Sequence, residues 1–365
     1  MGGSHSTGPN SGRRARLRLS AAMCLVFAFT GGAASQAAEL PAGRVLFIGI
    51  DGCRFDALEK AETPNLDRLR ENGCYTDKAL ILGERYRKNE TISGPGWSSL
   101  LTGVWADKHG VHDNKFRDRN FGKFPPLFVR VKQADLKGST ISSANWPPIA
   151  QVLSTSADVN LETTHDDLYV PGDAETAKTA AELLRGGEPI VVFTYFGQVD
   201  ERGHKRGFSP DVAEYVGCIE QVDKHVGELL AALESRKNFA AENWLAIVSS
   251  DHGGIDKDHA GGHSTPEVLN SFIIVERLGG AARQDRRTGL HRRRAGDRAR
   301  SPRHRSRSGM AARRQAGGAQ GALVDGGGWR CGDLNRRHLH VGHRENELFA
   351  EGQSRGLKAR LHVSL

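Results

Sequence analysis

The stretch RVLFIGI, Arg44–Ile50, followed at once by Asp51-Gly52, decides how this chain is read. After Arg44 every residue is apolar or glycine. The run is too short for an ordinary helix and is bounded by a turn dipeptide, so it reads as a buried strand. Such a strand delivers Asp51 at its C-terminal edge. The pattern recurs along the chain. PIVVFTYF (Pro189–Phe196) precedes Asp200 and His204. WLAIVSS (Trp244–Ser250) runs straight into Asp251 and His252, and SFIIV (Ser271–Val275) follows His259 and His263. Helical patterns lie between, at Thr63–Asn72, Ala174–Leu184 and Asp211–Ser235. In the last of these, Val212, Tyr215, Val216, Ile219, Val222, Val226, Leu229 and Leu230 fall largely on one stripe. Strands alternating with helices predict an α/β layered sheet, with ligands gathering at the carboxyl ends of its strands. No internal repeat is visible.

Taken singly, these acids and histidines are ordinary. An Asp-Gly after a strand is usually a turn, Asp251-His252 can be a cap beside a surface histidine, and Asp200 and His204 read as a charged, solvated loop. Recurrence changes the reading, because the chain repeats an apolar strand and then an acid, or an acid plus histidine, three times. Carboxylate and imidazole are the ligands a borderline divalent metal such as zinc prefers. A hydroxyl candidate, Ser93 in SGPGWSSLLTG, lies among them. Two metals about 4 Å apart can activate such a hydroxyl and hold both ends of a phosphoryl displacement. The pattern points to a hydrolytic metalloenzyme.

IGIDG, ETPNLDRLRENG, SGPGWSSLLTG, HGVHDN, VDERGH and SDHGG together resemble, in order and spacing, the alkaline phosphatase superfamily. Within it the chain is most similar to the type I phosphodiesterase/nucleotide pyrophosphatase family, over roughly two-thirds of its length, from about Gly43 to Val275. The resemblance implies an alkaline phosphatase-like three-layer sandwich, a largely parallel central sheet flanked by helices. It also implies two divalent ions, expected to be zinc. One would be held by Asp200, His204 and a late histidine; the other by Asp51, Asp251, His252 and the Ser93 oxygen. The late histidine is His259, eight residues after Asp251 in DHGGIDKDH, or His263 after two glycines; the spacing favours His259.

The nucleophile of this family lies two residues before a proline and ten before a glycine. That register selects Ser93, with Pro95 and Gly103 in place, and leaves Thr91 as the nearest alternative. Sulfatases share the register but carry Arg four residues after the nucleophile, where this chain has Trp97. The phosphodiesterases usually carry Asn after the proline to bind a phosphoryl oxygen, and Gly96 cannot do that. Backbone N–H groups at the following helix N-terminus, with Lys108 or His112, are the expected substitutes. The implied reaction is attack by Ser93 on phosphorus through a phosphoseryl intermediate. The expected substrate is a small phosphate ester or nucleotide: diester, pyrophosphate and monoester remain open, as does an inactive relative, and no stable nucleic-acid partner is expected. Residues 114–170 form a possible pocket-shaping insert, in which Phe121, Phe124 and Trp146 could stack a base or aryl group, with core packing the plainer use of each.

Residues 1–37 read as a cleavable signal peptide. Arg13, Arg14, Arg16 and Arg18 precede an apolar Leu19–Thr30, and Ser35-Gln36-Ala37 ends it with small residues. A secreted or periplasmic protein without a transmembrane anchor is expected, since the apolar stretch is too short to span a bilayer. Cleavage would leave Cys53, Cys74, Cys218 and Cys331; a Cys53–Cys74 disulfide is possible, and sequence leaves the pairing and the oligomeric state open.

The catalytic domain is expected over 38–276, and residues 277–365 differ in kind. They hold 21 Lys+Arg against 7 Asp+Glu, a net of +14; against whole-chain totals of 51 and 43, residues 1–276 carry 30 against 36, a net of −6. Arg takes 14 of the 38 positions from 277 to 314. Such a tail could be a disordered extension or bind anionic surfaces. The preferred reading is a frameshift near 276–283, because GC-rich DNA read out of frame tends to give Arg, Gly and Ala. Resequencing that stretch tests it, and an uninterrupted frame in independent isolates would remove it.

Overall fold

In the computed structural model the described residues are 43–82, 88–164, 166, 168–280 and 329–331, with the backbone alone of 339–344, 347–354 and 357–363. The expected signal peptide and the Arg-rich stretch 281–328 lie outside them.

The order is β1 (Gly43–Ile50), α1 (Phe55–Lys60), α2 (Pro64–Asn72), β2 (Cys74–Leu80), α3 (Ser93–Thr102), α4 (Ala106–His109), α5 (Leu127–Gln133), β3 (Ser139–Ala144), a π-helical turn at Ile149–Leu153 and β4 (Val159–Glu162). It continues through α6 (Val170–Arg185), β5 (Pro189–Phe196), α7 (Gln198–Arg206), α8 (Ala213–Glu234), β6 (Asn243–Ser249), α9 (Pro266–Leu269), β7 (Asn270–Gly279) and β8 (Arg330–Cys331). Three further strands, β9 (Leu339–Arg344), β10 (Glu347–Ser354) and β11 (Leu357–Val363), form an antiparallel sheet.

One eight-stranded sheet takes the order β4-β3-β5-β1-β6-β7-β2-β8. Its first five strands are parallel; β7, β2 and β8 add an antiparallel edge. Both faces are covered, which is why the strands read as continuous apolar runs rather than alternating ones. Leu46, Ile48 and Ile50 of β1 join a core with α1, α2, α6 and α8, while Phe47 packs with Trp97 and Leu101 of α3, Phe128 and Val131 of α5, and Ile149. The result is the expected three-layer α/β sandwich. Tyr215, Ile219, Val222, Val226, Leu229 and Leu230 of α8 are all buried, as their stripe predicts. Among the described residues no helix is long and apolar enough to cross a membrane.

Of the pairings the sequence left open, Cys53–Cys74 does not occur: Cys74 is bonded to Cys331, 257 residues away. β2 and β8 meet at that pair. Cys53 lies in the core on the α2–α8 side of the sheet and Cys74 in the core on the α3 side, so these two thiols cannot reach one another. Cys53 and Cys218 are buried and free.

Candidate active site

Register brings the acids together. Ile50 of β1 is opposite Phe196 of β5, and Gly49 is opposite Ser249 of β6. The residues just past those three strands therefore meet at one sheet edge: Asp51, the start of α7, and Asp251-His252. Asp200 and His204 are not in a loop, as the sequence suggested. They lie one turn apart on α7, where a four-residue spacing puts them on the same face. QVDERGHKR has a single large apolar residue, Val199, so apolar periodicity gave no sign of that helix. Ser93 opens α3, whose N-terminus adjoins the same edge.

Three histidines are set alike. His204 Nδ1 faces the Lys257 carbonyl, His252 Nδ1 that of Gly253 and His259 Nδ1 that of Thr91, each at 2.9 Å. A carbonyl can only accept, so each Nδ1 carries a proton; in neutral His252 and His259 this leaves Nε2 as a lone pair, and His204 Nε2 becomes one when that ring gives up its second proton. Those Nε2 atoms converge. His252 Nε2 lies 3.3 Å from Ser93 Oγ, 3.3 Å from Asp251 Oδ2 and 3.4 Å from Asp51 Oδ1. His259 Nε2 lies 3.5 Å from Asp200 Oδ1 and 3.0 Å from His204 Nε2, which is 3.5 Å from Asp200 Oδ2. Two groups thus form, Asp51-Asp251-His252 and Asp200-His252-His259, each with its donor atoms within 4.8 Å of one another. His204 adds to the second from the rim. His263 stands apart, with Nε2 2.8 Å from the Asn89 carbonyl.

The electrostatics suit cations. Asp51, Asp200 and Asp251 are buried, and among the described residues no lysine or arginine pairs with them. Burial, then the Asp200 charge, pushes Asp51 up to about 7, while burial and the Asp51 charge push Asp251 well above the carboxylate range. Burial lowers His259 to about 4 and also lowers His252, so both rings stay neutral. The hydrogen bond with Asp200 raises His204 to about 9. Asp200 Oδ1 and Asp251 Oδ2 are buried with no hydrogen-bond partner. Buried acceptors left this way are costly unless something positive meets them. The donor set and these orphaned oxygens fit two divalent ions.

The cavity in front of Ser93, of about 310 Å3, is lined by Asn114, Trp146, Tyr169, Tyr195, Glu201 and His259 among others. Lys108 and His112, expected to help a phosphoryl oxygen, do not line it. Asn114 does, and Gly94 N–H donates to its Oδ1 at 2.7 Å, leaving its NH2 as the donor at the wall. Gly96, where Asn was expected, packs on Asp251: a Cβ there would lie 2.8 Å from the Asp251 carbonyl oxygen. Of the three candidate aromatics only Trp146 reaches the cavity; Phe121 packs against the α3-side core. Asn114, Tyr169 and Tyr195 escaped sequence reading. The signals available were HDN, 21 residues after Ser93, and the aromatic close to the end of β5.

Thr91, the alternative nucleophile, is engaged elsewhere: its hydroxyl donates to the His259 carbonyl and accepts from Gly262 N–H. The sequence model for type I phosphodiesterase / nucleotide pyrophosphatase matches residues 45–303. The chain belongs to that family. Within it, the chain is 24% identical over 234 residues to ectonucleotide pyrophosphatase/phosphodiesterase family member 7 of Rattus norvegicus, covering 58% of this chain and 49% of that one. It is 25% identical over 256 residues to bis(5'-adenosyl)-triphosphatase ENPP4 of Bos taurus, covering 63% and 52%. The chain spans about half the length of the curated relatives it matches. A 2-O GAG sulfatase shares the alkaline phosphatase-like fold, with a TM-score of 0.50 at 13% identity over 65% of this chain and 64% of that one.

Proposed function

We propose that the chain is a secreted two-metal hydrolase of phosphodiesters and nucleotide pyrophosphate bonds, with Ser93 as nucleophile. The observation that carries this reading is the convergence of three Nδ1-anchored histidines and three buried carboxylates beside Ser93 Oγ. Asp200, His204 and His259 would hold one divalent ion; Asp51, Asp251, His252 and Ser93 Oγ the other. Three imidazoles among the ligands favour zinc. Bound there, the ions supply Lewis acidity towards the serine hydroxyl and the phosphoryl group.

The chain's own residues do the rest. Ser93 Oγ attacks phosphorus, the bond from phosphorus to the leaving oxygen breaks, that oxygen departs with the proton the serine gives up, and Ser93 is left carrying the phosphoryl group still esterified to the substrate's other arm. Water then cleaves the bond from phosphorus to Oγ, restoring the serine and releasing a phosphomonoester. The Asn114 amide, oriented by Gly94 N–H, donates to a phosphoryl oxygen, and the N-terminus of α3 favours the developing charge. Trp146 and Tyr195 stack at 6.1 Å and offer the substrate's organic arm a flat wall. Sulfate ester hydrolysis is disfavoured by Trp97, which stands where sulfatases carry Arg.

The test is a substrate panel with the full chain: bis-p-nitrophenyl phosphate, the mono ester, the aryl sulfate and a dinucleotide. The diester should be turned over at least about tenfold faster than monoester or sulfate, excess chelator should abolish the activity, and zinc should restore it better than calcium. Full activity in excess chelator would remove the two-metal reading. A folded chain that binds zinc and turns over none of the four would be an inactive relative. Secretion is checked by N-terminal sequencing of the exported protein, which should begin at Ala38; an uncleaved cytoplasmic product would end that part.

A further inference from the structure

The two carboxylate oxygens of Asp51 have different surroundings. Oδ1 lies 3.4 Å from both Ser93 Oγ and His252 Nε2. Oδ2 accepts two hydrogen bonds, from Trp97 Nε1 at 2.8 Å and from the Tyr195 hydroxyl at 2.6 Å. Asp51 and Trp97 are wholly buried and Tyr195 nearly so. Each donor is fixed by what it packs on. The Trp97 ring lies over Gly49, where a Cβ would come within 2.3 Å of a ring carbon. The Tyr195 ring meets Trp97 edge-on at 5.3 Å, and its other neighbour is Trp146 at the cavity wall.

We infer that Trp97 and Tyr195 are positioning residues for the ion held by Asp51, Asp251 and His252. Their two donors occupy Oδ2, fix the plane of the carboxylate and present Oδ1 as its single ligand atom. The arrangement mirrors that of the histidines, in which one ring nitrogen is tied to the protein so that the other can serve. It also gives Trp97 a role of its own: in this chain the residue four after the nucleophile grips a carboxylate rather than an oxyanion. Losing a donor would free the carboxylate to rotate and leave Oδ2 buried without a full set of partners. Among the described residues neither donor hydrogen-bonds Asp200, His204 or His259, so an ion held by those three should not respond.

The inference rests on the two-metal reading, and its experiment reads metal binding rather than turnover. Zinc affinity of the full chain is measured by competition with a chromophoric chelator, resolving two constants. Tyr195→Phe, which removes one oxygen and keeps the ring, should weaken one constant by about 10- to 100-fold and leave the other within about twofold. Trp97→Phe should weaken the same constant. Phe193→Leu is the packing control: Phe193 meets Trp97 at 5.9 Å but donates nothing to Asp51. It should lower the melting temperature with both zinc constants unchanged. With a diester substrate, Tyr195→Phe at sub-saturating zinc should lose kcat with little change in KM, and excess zinc should restore it. If Trp97→Phe does not fold, Tyr195→Phe decides alone. The inference is overturned if Tyr195→Phe keeps both zinc constants, or weakens both alike. A parent chain that shows the split constants yet hydrolyses no diester would sink the proposed function and leave this inference standing.

Discussion

Thr91 and His259 are joined by two hydrogen bonds across 168 residues of chain: His259 Nδ1 donates to the Thr91 carbonyl, and the Thr91 hydroxyl donates to the His259 carbonyl. The first fixes the ring's tautomer and the second its backbone, so a residue two before the nucleophile sets the pose of a histidine beyond β6. Thr91→Ala keeps the first bond and removes the second, together with the bond from Gly262 N–H. Zinc affinity at the Asp200-His204-His259 group should fall by about tenfold. Diester hydrolysis at saturating zinc should persist, and its disappearance in Thr91→Ala alone would return the nucleophile assignment to Thr91.

His259→Ala and His263→Ala should part company. His259 offers Nε2 to the carboxylate cluster, while His263 Nε2 meets a loop carbonyl. Bound zinc per purified chain should fall to about one in His259→Ala and stay near two in His263→Ala, because losing one of three ligands strips most of a site's affinity. Metal analysis by mass spectrometry reads the difference directly. Two zincs in both variants would leave His259 without a ligand role.

Ser93→Ala should remove turnover and spare the fold. The lost oxygen faces the cavity and the metal groups, so no void opens in the apolar core. A loss of at least about a thousandfold in kcat corresponds to roughly 4 kcal/mol of barrier at ~1.4 kcal/mol per tenfold. No phosphorylated serine should be trapped by acid quench in the variant. A variant that still forms the covalent phosphoprotein would place the nucleophile elsewhere.

What was legible follows from how each feature is written. Strands buried on both faces appear as apolar runs, so β1, β5, β6 and β7 and the acids that follow the first three could be seen in the chain. α7 could not, since it buries little apolar surface and its order is set by the sheet edge. Tyr195 and Trp97 sit among core aromatics, and nothing in PIVVFTYF distinguishes a tyrosine that packs from one whose hydroxyl holds Asp51. The choice between His259 and His263 depends on Thr91, and the partner of Cys74 on a strand 257 residues away. The first had a partial local sign in the eight-residue spacing from Asp251 to His259; the second is a tertiary fact with none.

Away from the site, Arg236 and Glu242 form a buried ion pair that ties the end of α8 to the end of α6. The guanidinium meets the carboxylate through two bonds of 2.8 Å and also donates to the carbonyls of Leu184, Gly186 and Gly187. Trp244 Nε1 adds a third donor to Glu242 at 2.8 Å. The bond from Arg236, more than the cost of burial, holds the Glu242 carboxyl below its usual range. Glu242→Gln keeps the shape but leaves a buried guanidinium without its counter-charge, at a cost of about 3 kcal/mol at neutral pH. A folded-state pKa below the unfolded one means the stabilisation is present above the unfolded value, near ~4.3, and is lost as pH falls through the folded value. The gap in melting temperature between parent and Glu242→Gln should therefore be full at pH 7 and close progressively below pH ~4. Melts followed by circular dichroism from pH 7 to pH 3 supply the measurement. A gap that stays constant over that range would mean the ionised carboxylate is not its source.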